Sequence, residues 1–198
     1  MKHPENRRVE QYISLLARYR PTLNLISEAA FSAVGTHIRD ALAFASLIAE
    51  REVLPPTILD VGSGAGFPGV ILGLALPEVT VVLVERRRRR GAFLNLVKAQ
   101  LGLDNLEVRI EDVRSVRDKE FAVITAQAFG SLEAIYQATS HLHAPRIVIL
   151  SRKGPGWLKE LGELASLGLP VQVLAEERLE SHGRLVMVRL PGGLSCRP

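Results

Sequence analysis

The chain of 198 residues predicts an α/β fold: a mainly parallel sheet, closed by a C-terminal hairpin and preceded by a helical extension. Three observations carry that expectation. From Thr57 onward short β-rich runs alternate with helical ones, the runs are apolar on both faces, and the last two are joined by a turn. Strands buried on both faces belong to a parallel sheet covered by helices on each side. Alternation at this spacing implies right-handed βαβ units.

The elements follow in order. In the extension, residues 1 to 53, Val9, Tyr12, Ile13, Leu16 and Tyr19 recur at helical spacing until Pro21, which should stop the pattern. A second amphipathic stretch runs from about Thr36 to Glu50, offering Ile38, Leu42, Ala45, Leu47 and Ile48 for burial. "LPP" at Leu54 to Pro56 punctuates the join to a core spanning 57 to 190. There the strand candidates are "TILDV", "TVVLVE", "LEVRIED", "FAVITAQ" and "RIVILSR". The helical runs "GVILGLALP" and "RGAFLNLVKAQLGL" separate the first three. At the end "PVQVLAEERLE" and "RLVMVRLP" flank "SHG", the pattern of two strands around a turn. A single domain with its extension accounts for the whole length.

Charge is local. The net charge is +4, but the five consecutive arginines Arg86 to Arg90 alone make it positive, which indicates a patch and not a polycation. The only cysteine, Cys196, excludes an intrachain disulfide, as in a reducing compartment. No apolar run approaches membrane-spanning length, and the start "MKHPENRRVEQ" has no signal-peptide character, so a soluble cytoplasmic protein is expected.

After "ILDV" comes the loop Gly62, Ser63, Gly64, Ala65, Gly66, Phe67, Pro68, Gly69. Its glycines let the backbone turn tightly and let a ligand approach without a Cβ in the way. Pro68 suits the first helical position. The loop falls at the carboxyl ends of the strands, where α/β sheets bind ligands. Gly64, Gly66 and Gly69 spell a dinucleotide fingerprint, with Glu85 near the required distance. That register, however, puts the Asp60 carboxylate inside a central strand, which is costly unless it is paired. A register starting at Gly62 leaves Asp60 at the strand end, within reach of a ligand amine or a loop amide. This second register favours a methyl-donor cofactor. Glu85 can then accept both hydroxyls of an adenosine ribose.

These residues resemble the class I S-adenosylmethionine-dependent methyltransferases, and more narrowly the RsmG family (glucose-inhibited division protein B) of 16S rRNA guanine-N7 methyltransferases. "LDVGSGAGFPG" resembles that family's cofactor loop almost letter for letter. "LNLIS", "HIRD", "AFLNLVKAQLGLDNLEV", "RIED", "AQAFGSL" and "KG" are similar to its other segments, in order from Leu23 to Gly154. The resemblance implies a Rossmann-like class I methyltransferase fold and S-adenosyl-L-methionine as cofactor. The implied partner is 16S rRNA or a small-subunit assembly intermediate, with no membrane and the chain monomeric. Gly62, Gly64 and Phe67 should serve the cofactor from the loop, Glu85 from its strand end, and Ile110 and Glu111 beside the adenine. The family has Ser-Arg-Ala-Phe where this chain has Ala126-Gln127-Ala128-Phe129, and His-x-x-Asp-Ser where it has His37-x-x-Asp40-Ala41. Gln127 thus stands in a cofactor-facing slot without the family's charge, so weakened but real binding is expected, with Arg109, Arg152 or Lys153 as a compensating cation. Two other readings remain beside this one: a methyltransferase for another RNA or a small molecule, and a non-catalytic RNA-binding relative.

Methylating guanine N7 needs no general base, because N7 carries an in-plane lone pair and no proton. Placing that lone pair in line with the methyl group is the main task. Accordingly no catalytic residue and no metal set is assigned. His37, His141, His143 and His182 are scattered, and His141 and His143 read as surface or cap residues. Lys153, at a strand end, is a candidate for rRNA phosphate. Cations opening a helix oppose its dipole, so helix propensity does not explain Arg86 to Arg90. Beside a cofactor loop they are read as phosphate contacts.

Overall fold

The computed structural model describes residues 3 to 50, 54 to 117 and 120 to 192. Three helices come first: α1 (His3–Leu23), α2 (Glu28–Ser32) and α3 (Val34–Ala49). The core follows as β1 (Thr57–Val61), α4 (Gly69–Ala75), β2 (Thr80–Val84), α5 (Arg88–Leu101), β3 (Leu106–Arg109), β4 (Phe121–Gln127), α6 (Leu132–Thr139), β5 (His143–Lys153), α7 (Trp157–Ala165), β6 (Gln172–Arg178) and β7 (Arg184–Pro191). The expected strands all form, and the sheet is mainly parallel with an antiparallel β5–β7–β6 end. Cys196 and residues 51 to 53, the end of the expected extension, fall outside the described residues.

The strand order is β3-β2-β1-β4-β5-β7-β6. β1 therefore lies between β2 and β4, and the order reverses at it. In open α/β sheets such a switch point leaves a crevice at the carboxyl ends of the strands. Alternation along β1 sends Ile58 to one apolar core and Leu59 and Val61 to the other. α1, α3, α4 and α5 cover the first face, and α6 and α7 the second. α4 comes unusually close to the sheet. A Cβ at Gly73 would stand 2.5 Å from the Leu106 side chain, so only a hydrogen fits there.

The extension differs from the sequence reading in one respect. Pro21 does not end α1, which continues to Leu23. Proline costs a helix the bond its missing N–H would make, but Pro21 lies in the last turn. The end comes at Asn24, in the left-handed region at φ 51°, whose N–H donates to the Arg20 carbonyl at 3.0 Å.

A buried ion pair joins this extension to the hairpin. Asp40 on α3 is 1% exposed and accepts a short hydrogen bond from Ser181 Oγ, in the turn between β6 and β7. Arg152, on β5, lies with Nε 3.4 Å from the same carboxylate and also donates to Ser181 Oγ. Close by on the surface, Arg39 pairs with Glu180 at 2.6 Å with both side chains more than half exposed. Removing one partner of a buried pair leaves an uncompensated charge, whereas an exposed pair is worth little. Arg152→Met should therefore cost about 3 kcal/mol in urea unfolding, and Arg39→Met less than about 1 kcal/mol. Equal losses would show that the Asp40 cluster does not hold the extension to the hairpin.

Candidate functional site: a cleft at the carboxyl ends of the strands

At the switch point the loops after β1, β2, β3 and β4 surround a cleft of about 360 Å³. Val61 and Gly62 form its floor on one side, Val84 and Glu85 lie next to them, and Glu111, Asp112 and Val113 form the wall beyond. Ala128 and Phe129 close it from β4, and Arg86, Arg87, Arg90 and Arg114 stand at its rim.

The loop after β1 is shaped by backbone that only glycine adopts easily. Gly62, Gly64 and Gly66 all have positive φ, at 68°, 57° and 109°. Gly62 also makes room for a neighbour, since a Cβ there would meet the Phe129 ring at 2.9 Å. Gly62 and Ser63 donate their N–H groups to the Val84 carbonyl, at 2.9 and 3.2 Å.

Glu85 organises the top of the site. It is 5% exposed, and its two oxygens hold two different segments. Oε2 accepts from the Gly64 N–H at 3.0 Å, and Oε1 from the Arg87 N–H at 2.7 Å. Charge-assisted bonds of this kind are among the stronger ones. A carboxylate has about four acceptor positions, so two remain for a ligand.

Asp60 meets half of the sequence expectation: near the end of β1 its carboxyl lies against the Gly69 backbone of the loop, but it does not face a ligand. It lies within β1, fully buried, and does not reach the cleft. Thr125 Oγ1 on β4 donates to its Oδ1 at 2.9 Å. Oδ2 lies under Gly69, where a Cβ would come within 2.6 Å of it. The paired carboxylate in a central strand, counted above against the dinucleotide register, is thus what the fold contains. Position along the strand does not by itself separate the two cofactors.

The other expected residues spread around the cleft. Gly62, Glu85 and Glu111 line it. Gly64 stands one bond away, on Glu85. Phe67 is half-buried on the far side of the loop, its ring 5.5 Å from Tyr12 and 5.8 Å from His37. Ile110 packs over Gly91 of α5, where a Cβ would touch it at 2.6 Å, and the strand before it ends at Arg109. Gln127 ends β4 beside Arg152 of β5, and its Oε1 is buried without a hydrogen-bond partner.

None of the three proposed compensating cations is free for a ligand. Arg109 pairs with Glu107 at 2.6 Å, and Arg152 is committed to Asp40 and Ser181. Lys153 is 4% exposed and donates to the Gly130 carbonyl at 2.5 Å, with Glu160 at 2.9 Å. It is neither solvated nor available to phosphate, because its strand position points it under α6 and α7. His143 is likewise internal and not a surface group: burial, together with the nearby His141, lowers its pKa to about 4. Phe129, Asp112, Val113 and Arg114 were missed. Asp112 and Phe129 fall in the family-like segments "RIED" and "AQAFGSL" but were given no role there, and Val113 and Arg114 had only their place beyond a strand end as a signal.

The arginine run divides by geometry. α5 starts at Arg88, with Arg87 as its cap. Arg90 donates to the Asn24 carbonyl at 2.8 Å, while Arg86 to Arg89 are exposed.

A sheet of this order with a glycine loop and an acidic residue at the next strand end is the architecture of a methyltransferase. A SAM-dependent methyltransferase from Aquifex aeolicus shares the fold with a TM-score of 0.59 at 17% identity, covering 76% of this chain and 89% of its own. The ribosomal protein L11 methylase of Lactobacillus delbrueckii subsp. bulgaricus does so at 0.61 and 15%, covering 75% and 77%.

The chain belongs to the rRNA small subunit methyltransferase G family, whose model matches residues 5–177. Ribosomal RNA small subunit methyltransferase G of Halorhodospira halophila is 34% identical over 81% of this chain and 75% of that protein. The protein of the same name from Nitrosomonas europaea is 33% identical over 94% and 88%.

Burial raises the Asp60 pKa from 3.8 to about 6, and the polar groups around the carboxyl, Ser63, Thr125 and the Gly69 backbone, offset only part of that rise. A carboxyl with a raised folded pKa binds its proton more tightly folded than unfolded. Its contribution to stability is therefore greatest at low pH and falls as pH rises from about 4 to about 6. The change is at most about 3 kcal/mol. Asp60→Asn keeps an acceptor for Thr125 and carries no charge. Urea unfolding from pH 4 to 7 should show the variant gaining on the wild type across that window. A constant difference would mean that folding does not raise the Asp60 pKa.

Proposed function

We propose that the chain transfers a methyl group from S-adenosyl-L-methionine to N7 of a guanine in 16S rRNA. The observation that carries this reading is the Glu85-held glycine loop at the sheet's switch point, in a chain that belongs to a small-subunit rRNA methyltransferase family. The residues present fit the cofactor. Glu85 has acceptor positions left for ribose hydroxyls, and Gly62 lines the cleft with bare backbone beside the Phe129 ring. Glu111 lies on the wall where the adenine would rest. Gly64 fixes Glu85, while Phe67, Ile110 and Gln127 support the site from its margins.

S-adenosylmethionine, when bound, would supply an electrophilic methyl group; attack by the N7 lone pair would break the sulfur–methyl bond and leave S-adenosylhomocysteine, with no proton to remove. The protein's work is then to hold both partners in line and to exclude water. Phe129, which lines the cleft and packs against Gly62, would help to exclude water from it. Arg86, Arg87 and Arg114 give the rim a positive character suited to phosphate, and Arg88 and Arg89 add exposed charge at the start of α5. Among the described residues no helix is long and apolar enough to cross a membrane.

Nucleoside mass spectrometry of 16S rRNA from a deletion strain tests the reading. One 7-methylguanosine should disappear and return with the plasmid-borne gene; an unaltered nucleoside profile would overturn it. The exposed arginines make a second prediction. Changing Arg86, Arg87 and Arg88 together to glutamine should reduce the slope of log RNA affinity against log salt by roughly 2 to 3, with cofactor affinity little changed. An unchanged slope would reduce these arginines to a solvated face.

A further inference from the structure

The glycine loop is held from three directions, and one of them lies outside the sheet and its crossover helices. Glu85 takes the Gly64 N–H from the β2 side. Ser63 Oγ donates to the Asp60 carbonyl beneath, at 3.0 Å. From the other side Tyr12, in the middle of α1, donates its hydroxyl to the Ala65 carbonyl at 2.8 Å, across 53 residues of sequence. Tyr12 has no exposed surface, and its ring leans on Phe67 at 5.5 Å. Its oxygen stands 3.0 Å from the place a Cβ on Gly66 would occupy. Burial, with the nearby Asp60 carboxylate, pushes the phenol well above its ordinary pKa, so it stays a donor.

These contacts close into a circuit. Tyr12 holds Ala65, the adjoining Gly64 holds Glu85, and Glu85 holds the Arg87 amide. One turn further along α5, Arg90 reaches the carbonyl of Asn24, which ends α1. The helix that carries Tyr12 is thus tied to both halves of the cofactor cleft, the loop after β1 and the helix after β2.

We infer that Tyr12 is a positioning residue for the cofactor, acting through the Ala65 carbonyl to fix the Gly64–Gly66 turn in its binding shape. The loop's positive-φ glycines are individually free to adopt other backbone conformations, and removing a buried donor leaves the Ala65 carbonyl unsatisfied. Relaxation of that turn would misplace the Gly64 N–H and, with it, Glu85. The helical extension is then part of the cofactor site and not an appendage for RNA alone. This inference rests on the proposed cofactor reading.

Tyr12→Phe removes the hydroxyl and keeps the ring. Calorimetric titration with S-adenosylhomocysteine should show binding weakened five- to tenfold, and in methylation assays the KM for S-adenosylmethionine should rise while kcat at saturation stays within twofold. Leu16→Ala is the control: Leu16 is a fully buried residue of the same helix that does not hydrogen-bond the loop. It should lower the melting temperature at least as much and leave cofactor affinity within twofold. Tyr12→Phe binding within twofold of the wild type would overturn the inference. So would a loss of affinity in Leu16→Ala equal to that in Tyr12→Phe, since any destabilisation of α1 would then suffice. A wild-type protein that binds neither cofactor form would instead overturn the cofactor reading itself.

Discussion

The carboxylate of Glu85 is the constraint on which the site depends. It lies almost fully buried at the end of β2, and a buried charge is tolerated only where hydrogen bonds replace its water. The two backbone amides that do so come from Gly64 and Arg87. One side chain thereby sets the spacing between the glycine loop and the start of α5. A neutral or shorter group would leave at least one amide without its charged acceptor. The cost of burying Glu85 is offset by an ordered cleft, and the acceptor positions still free on its oxygens point to what the cleft receives.

The sheet supplies the other half of the arrangement. Because β1 sits between β2 and β4, the loops that follow these strands diverge around the switch point and leave room between them. Asp60 and Thr125 hold β1 to β4 from inside the sheet, just under that opening. The underside of the cleft is therefore a polar contact in an otherwise apolar layer. On the rim, cations from two different segments, Arg86 and Arg87 before α5 and Arg114 after β3, face the same opening.

Local pattern made the fold legible. Alternating apolar runs gave β1 and β4 to the residue, and the turn "SHG" placed the hairpin, because strand length and turn chemistry are encoded in neighbouring residues. The glycine loop and Glu85 were legible for the same reason. Contacts between distant segments were not. Whether Asp60 faces a ligand or Thr125 depends on the parallel pairing of β1 with β4, which no local spacing reveals. Lys153 read as a candidate for phosphate because its strand end is visible in sequence, whereas its burial against Glu160 depends on where α7 packs. Pro21 misled because proline is a strong breaker within a helix but lies here in a last turn that Asn24 closes. Tyr12 was assigned to a core face, correctly by periodicity, yet its hydroxyl reaches a loop 53 residues away.

The most direct test of the account is a crystal structure of the protein with S-adenosylhomocysteine. Both ribose hydroxyls should lie within hydrogen-bond distance of Glu85, with the adenine against the Glu111 wall and the Gly64 and Arg87 amides still on the carboxylate. A nucleoside bound elsewhere, or a Glu85 carboxylate turned away from the ribose, would contradict the claim that this residue builds the cofactor site.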